Sequence, residues 1–273
     1  MPRLDRYGKV QSLVSDVIPH VLLVIPCFNE SVRLPPFLEV LCPAIQEAAC
    51  RVTIQVADDG SRDAERGKMR ALVNRLRESH GRVLAEMLEL PHAGKGGTIL
   101  GAWKVAPPEV THYGFVDADG AVDEQEIQRV LDLVFDLQVR DEDVPETCYF
   151  AIRKPTETTL IQRDPVRRLV GRVYYSLVNF ILGTNIYDPA CGFKVFSKPF
   201  YECCGHLLTE QEWALDIELL ARLYHHGFPL RQIPVSWEEK GGSKIVRADT
   251  VRILKQIIAV KHRWQDWKKN ERS

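Results

Sequence analysis

An apolar run, Tyr113-Gly114-Phe115-Val116, ends in Asp117-Ala118-Asp119-Gly120. Strand alternation puts Asp117 and Asp119 on the same side of the chain, where pairing gives way to a turn that Gly120 permits. Two carboxylates so placed repel each other unless a cation sits between them, and a divalent metal carrying a diphosphate meets that need. The competing reading is a plain acidic turn. A second acidic pair, Asp58-Asp59, precedes Gly60-Ser61 and could accept from a uracil imide or ribose hydroxyls, or serve the next helix, which Asp63 could cap alone. Gly94-Lys95-Gly96-Gly97 resembles half of a phosphate loop. It lacks the earlier Gly and the following Ser or Thr of a Walker motif, which leaves a small, cationic helix start suited to phosphate or the nucleotide edge, or a surface turn. Arg153, Ser243 and Lys244 are further donors that could close on phosphate, or solvated surface groups.

The elements that must carry these residues follow from periodicity. Short apolar runs at 21–25, 52–57, 83–90 and the run before Asp117 read as strands, each followed by a helical pattern, at 34–50, 64–79, to about 105, and 124–139. The pattern predicts an α/β fold with a mainly parallel central sheet flanked by helices, and in such sheets ligands collect at the carboxyl ends of strands. Further on, 148–152 reads as a strand and 165–182 as a helix. Residues 188–196 read as an edge or bent strand because of Pro189 and Gly192. A helix over 213–226, a strand over 230–237 and a basic helix over 251–267 complete the chain.

At 100° per residue Val166, Leu169, Val170, Val173, Leu177, Val178 and Ile181 share one face of the 165–182 helix, with Arg168 and Arg172 opposite. This suits a core helix or one lying on an anionic membrane. The Trp and Lys residues of 261–269 favour the second.

Thirty-six basic and thirty-seven acidic residues give a net charge of −1, which argues against nucleic acid as a partner. Seven cysteines without a Cys-x-x-Cys pair suit reduced thiols in a cytoplasmic protein and argue against zinc. No secretory signal and no run of about 20 apolar residues is present. The expected organisation is an extension over 1–19, a domain over 20–246 split into halves at 123/124, and a basic helix over 247–273.

Taken together, Pro26-Cys27-Phe28-Asn29-Glu30, Asp58-Asp59-Gly60-Ser61, Gly94-Lys95-Gly96-Gly97 and Asp117-Ala118-Asp119-Gly120 resemble the nucleotide-sugar half of glycosyltransferase family 2, with its GT-A fold. Asp188-Pro189-Ala190-Cys191-Gly192-Phe193-Lys194, Trp213-Ala214-Leu215-Asp216 and Trp237-Glu238-Glu239-Lys240-Gly241-Gly242-Ser243-Lys244 resemble its dolichyl-phosphate β-glucosyltransferase and polyprenyl-phosphate branch. The resemblance implies a single GT-A domain and inverting transfer of a sugar, glucose foremost, from a UDP-sugar to polyprenyl phosphate at the cytoplasmic membrane face. It implies Pro26, Asn29 and Glu30 at the ribose, Asp58 or Asp59 at the base, and Asp117 and Asp119 on Mg2+ or Mn2+. Lys95, Gly96 and Ser243 complete the expected donor contacts. Arg153 and Lys244 are expected at the acceptor phosphate or the leaving diphosphate, and Asp216 positions a sugar hydroxyl, serves as base for an alcohol acceptor, or is a salt-bridged helix residue. Where mannosyl-type relatives carry a Gln metal contact this chain has Ala121, with Asp123 as a substitute.

Overall fold

Residues 20–27 alternate so that Val21, Leu23 and Ile25 enter one core while Leu22 and Val24 enter another. That two-sided burial is what a strand covered by helices on both faces requires. The computed structural model describes residues 18–139, 144–162 and 164–240. Its elements are β1 (His20–Cys27), α1 (Leu34–Gln46), β2 (Arg51–Asp59), α2 (Asp63–His80), β3 (Leu88–Leu90), α3 (Gly94–Lys104), β4 (His112–Val116) and α4 (Glu124–Val139). There follow β5 (Cys148–Ile152), β6 (Ile161–Gln162), α5 (Pro165–Leu182), β7 (Phe193–Ser197), α6 (Lys198–Cys204), α7 (Leu215–His225), β8 (Leu230–Pro234) and β9 (Trp237–Glu238).

The main sheet has the order β3-β2-β1-β4-β7-β5-β8, parallel except for β7, which is antiparallel to both β4 and β5. Helices α1, α2 and α4 pack on one face; α3, α5, α6 and α7 pack on the other. The expected α/β class with a mainly parallel sheet is what is observed. The expected helix over 251–267, with Ser243 and Lys244, lies outside the described residues.

Three differences from the sequence-based expectations have local causes. The strand expected over 83–90 shrinks to an isolated bridge at Leu84 and the three residues of β3. Between them Ala85 and Glu86 are held by Ile54 O and the Gln55 amide rather than by a continuous ladder. The strand expected at the sheet edge is central: Pro189 and Gly192 lie in the approach, so β7 itself contains neither and can pair on both sides. The short pair β6 and β9 carries no periodic signal and was not expected.

The expected apolar face of α5 is divided between core and surface. Val178 and Leu182 are buried, whereas Leu169, Val173 and Phe180 are 63%, 64% and 84% exposed. Polar contacts fix the helix on that side. Asn179 donates to Ile186 O at 2.8 Å and accepts from Thr184 and from Ile186 N, while Tyr175 accepts from Arg153.

His112, which opens β4, is buried and neutral. Its Nε2 faces the Gln138 amide at 3.0 Å and its Nδ1 faces Thr111 Oγ1 at 2.9 Å, and burial pushes its pKa down to about 4. The folded protein therefore binds this proton later than the unfolded chain as pH falls. The stability is complete above about pH 6.5 and is lost on going down to about pH 4, by roughly 3 kcal/mol. Urea unfolding across this range is expected to show the loss in the wild type and to show that much less of it in His112→Gln; identical profiles would mean that His112 takes up its proton as readily in the fold as in the unfolded chain.

Candidate active site

The loops after β1, β2 and β4 meet at one end of the sheet because those strands are parallel neighbours. Pro26 lies beyond Val24, the last β1 residue paired to β4, so its missing N–H interrupts no bond there. Asn29 sits in the left-handed region with φ 54°. Its N–H donates to Ser61 Oγ at 2.8 Å and its Oδ1 accepts from Arg62 N at 3.1 Å, which ties the first loop to the second. Glu30 is held by both ends of the Arg33 guanidinium, at 2.7 and 2.5 Å.

The second acidic pair divides its labour. Asp58 is fully buried and accepts from Ser61 N within its own turn. Asp59 accepts from Ala93 N at 2.7 Å and faces His92 Nδ1 at 2.9 Å, so it joins the second loop to the start of α3. His92 stacks on Phe28 with ring centroids 4.7 Å apart, a flat wall at the rim that sequence reasoning missed.

Asp117 and Asp119 follow β4 directly. The antiparallel register places Val116 opposite Phe193, so Gly192 lies beside Asp117, and Asp117 N donates to Gly192 O at 3.0 Å. A Cβ on Gly192 would collide with Asp117 Oδ2. Burial and the neighbouring Asp117 raise the Asp119 pKa, against the opposing pull of Arg33 and Lys95. Asp123, considered as a further metal contact, instead accepts from Glu126 N at 2.8 Å and caps α4.

Lys95 Nζ lies 2.7 Å from Asp117 Oδ1 and 4.0 Å from Asp216 Oδ2. Burial opposes its charge, but Asp117 and Asp216 outweigh burial and hold the pKa up to about 12. Asp216 is bound from its other side by Lys194, whose Nζ is 2.6 Å from Asp216 Oδ1 and also donates to Cys191 O. Lys194 has no exposed side-chain surface and passes between the rings of Phe115 and Phe150. Asp117, Lys95, Asp216 and Lys194 thus form one line of alternating charge across β4, α3, α7 and β7. Lys194 was missed as a site residue, although period two already placed it on the face of Phe196.

The glycines around Lys95 serve packing. A Cβ on Gly94 would come within 2.7 Å of Gln211 O, and one on Gly96 within 2.7 Å of Glu210 O. Gly97 N donates to Gln211 O. The 210–212 loop therefore covers the first turn of α3, and Gly96, expected on the nucleotide edge, is buried beneath it. Glu218 on α7 holds that loop by accepting from Thr209 and Glu210 N–H groups.

Arg153, expected as a phosphate contact, has a protein partner. Asp188 takes it by Nε at 2.5 Å and Nη2 at 2.8 Å. Burial opposes ionisation of Asp188, but Arg153 prevails and lowers its pKa to about 2. Any phosphate must compete with Asp188 for this guanidinium.

In an open α/β sheet ligands bind beyond the carboxyl ends of the strands, where these carboxylates gather. The chain belongs to glycosyl transferase family 2, which it matches over residues 22–205. It is a glycosyltransferase with a GT-A fold. Similar proteins include the dolichyl-phosphate beta-glucosyltransferase of Dictyostelium discoideum, 23% identical over 251 residues that cover 90% of this chain and 75% of that protein. The Homo sapiens protein of the same name is 27% identical over 231 residues, covering 82% and 69%. Glucosyl-3-phosphoglycerate synthase from Mycobacterium tuberculosis, solved with UDP, superposes with a TM-score of 0.61 at 15% identity, covering 92% and 81%. Mannosyltransferase PcManGT from Pyrobaculum calidifontis, solved with GDP-Man and Mn2+, gives 0.59 at 17% identity, covering 91% and 67%.

Two variants probe this geometry. Gly192→Ala is expected to keep the fold while displacing the Asp117 carboxylate, with turnover falling about 100-fold or more; circular dichroism with steady-state rates checks this. Arg153→Ala is expected to strand Asp188 and lower unfolding stability by about 3–5 kcal/mol in denaturant titration.

Proposed function

We propose that this protein transfers glucose from UDP-glucose to a polyprenyl phosphate, with inversion and with help from Mg2+ or Mn2+. The observation that carries the reading is the Asp117/Asp119 pair at the end of β4, set beside the Lys95 ammonium. The names of the dolichyl-phosphate relatives support the acceptor and the sugar, and UDP and Mn2+ in the solved relatives support the donor and the metal. The oxygen-only donor set of Asp117 and Asp119 fits a hard divalent ion, which would offset the burial and the Asp117 charge that together raise the Asp119 pKa. When bound, the ion neutralises charge on the departing diphosphate.

The chain's own groups do the rest. In this reading residues 20–123 bind the nucleotide sugar and 124–246 the acceptor. Asn29, Glu30 and Pro26 shape the ribose side, and Asp58 and Asp59 shape the base side. Lys95 orients Asp117 and faces the developing negative charge. A phosphate monoester acceptor is already anionic, so attack needs alignment more than a base. Asp216, clasped between two lysines, accordingly positions Lys95. Arg153 and Lys244 are assigned to the acceptor phosphate, Arg153 by exchanging Asp188 for it, and Ser243 to the donor side.

The exposed Leu169, Val173 and Phe180 of α5 supply an apolar face for a peripheral membrane contact near the acceptor half. Among the described residues no helix is long and apolar enough to cross a membrane.

The reading is tested with UDP- and GDP-sugars presented to polyprenyl phosphate in anionic vesicles, with and without Mn2+. UDP-glucose with metal is expected to label the lipid; pyrophosphate release from UTP and glucose-1-phosphate, or labelling of a soluble acceptor alone, would overturn it. Asp119→Asn is expected to lower metal-supported transfer by about 10²–10³-fold. Val173→Asp with Phe180→Asp is expected to reduce vesicle partition and lipid labelling while sparing acceptor-free hydrolysis of UDP-glucose.

A further inference from the structure

The proposed reaction uses none of the cysteines, yet two of them meet a histidine on the α6–α7 side of the sheet. Cys203 and Cys204 end α6, and His226 is the residue that closes α7. Cys203 is exposed, Cys204 buried and His226 half-buried. One ligand atom from each, two Sγ and an imidazole nitrogen, lie within 4.8 Å of one another. In a tetrahedral zinc site with Zn–S near 2.3 Å and Zn–N near 2.0 Å, such atoms stand roughly 3.5–3.8 Å apart. A contraction of about 1 Å, within reach of an exposed Cys203 side chain, therefore closes the set.

We propose that Cys203, Cys204 and His226 form a binding site for a thiolate-seeking divalent cation, zinc foremost, separate from the carboxylate pair that serves the diphosphate. Two thiolates and one imidazole are the ligand chemistry that selects zinc over magnesium or manganese. The fourth position is left to water. Binding forms two metal–sulfur bonds and one metal–nitrogen bond, and the two S–H protons leave to solvent without oxidation. Sequence spacing hides the set, since 21 residues separate Cys204 from His226 and only the packing of α6 beside α7 joins them.

The site has a structural consequence for catalysis. Asp216 lies in the first turn of α7 and His226 at its far end, about 15 Å along the axis. Helix α6 continues directly from β7, which carries Lys194. A bound ion would pin together the two elements whose side chains make the Lys194–Asp216 pair.

Cobalt(II) titration of the reduced full-length protein tests this. The expected result is one equivalent showing a thiolate-to-cobalt charge-transfer band, displaced by zinc. The band is retained in Asp119→Asn, which weakens the other cation site, lost in Cys203→Ser, and its affinity is reduced more than about 100-fold in His226→Gln, beyond what losing an outer hydrogen-bond partner costs. Zinc at a hundredfold excess over its dissociation constant is expected to raise the melting temperature by roughly 5 °C in the wild type and not in Cys203→Ser. Absence of the band, or its survival at full strength in Cys203→Ser, would overturn the proposal.

Discussion

A lysine ammonium with no access to water must find a counter-charge inside the protein, because an isolated buried ion costs several kcal/mol. Lys194 meets that demand through Asp216, and the pair constrains much of the molecule. β7 runs antiparallel between β4 and β5, and Lys194 reaches Asp216 of α7 from its buried face. The same register brings Gly192 against Asp117, where only a glycine fits. Asp216, fixed from behind, presents its second oxygen to Lys95, and Lys95 reaches Asp117. The acidic edge that faces the diphosphate in the proposed reaction is thus set by side chains drawn from both halves of the chain.

The Arg153–Asp188 pair works beside it in the same manner. Each of these two pairs takes one partner from β7 or its approach, and both are almost wholly buried. Buried pairs of this kind add little net stability over apolar packing but are costly to break. Their value here is position. The glycine-rich stretch at α3 belongs to the same scheme, since its missing side chains admit the 210–212 loop that Glu218 holds in place.

The sequence made the parallel strands and their acidic ends legible, because Asp58-Asp59 and Asp117-x-Asp119 terminate apolar runs and need no knowledge of distant partners. It did not reveal the partners themselves. That Lys194 serves Asp216, or Asp188 serves Arg153, depends on β7 inserting in the reverse direction, and periodicity within one strand carries no information about its neighbours. Pro189 and Gly192 suggested an edge strand because their position just outside the paired residues is set by that insertion. Whether α5 turned its apolar face to the core or outward was open for a related reason: the partners of Tyr175 and Asn179, Arg153 and the 184–186 turn, lie elsewhere in the chain. Gly94 and Gly96 suggested a phosphate loop because their contacts are backbone atoms more than 110 residues away.

The claim that the Lys194–Asp216 pair exists to position the site can be separated from a purely structural role. Lys194→Met and Asp216→Leu each leave a charge unpaired or Lys95 half-neutralised, whereas the double variant replaces the pair with apolar side chains and is expected to recover most of the lost stability. The decisive measurement is sugar transfer by that double variant alongside its denaturant midpoint. The account predicts a near wild-type midpoint with transfer still reduced about 100-fold, because Lys95 no longer has Asp216 to hold it against Asp117. Transfer that returns together with stability would contradict it.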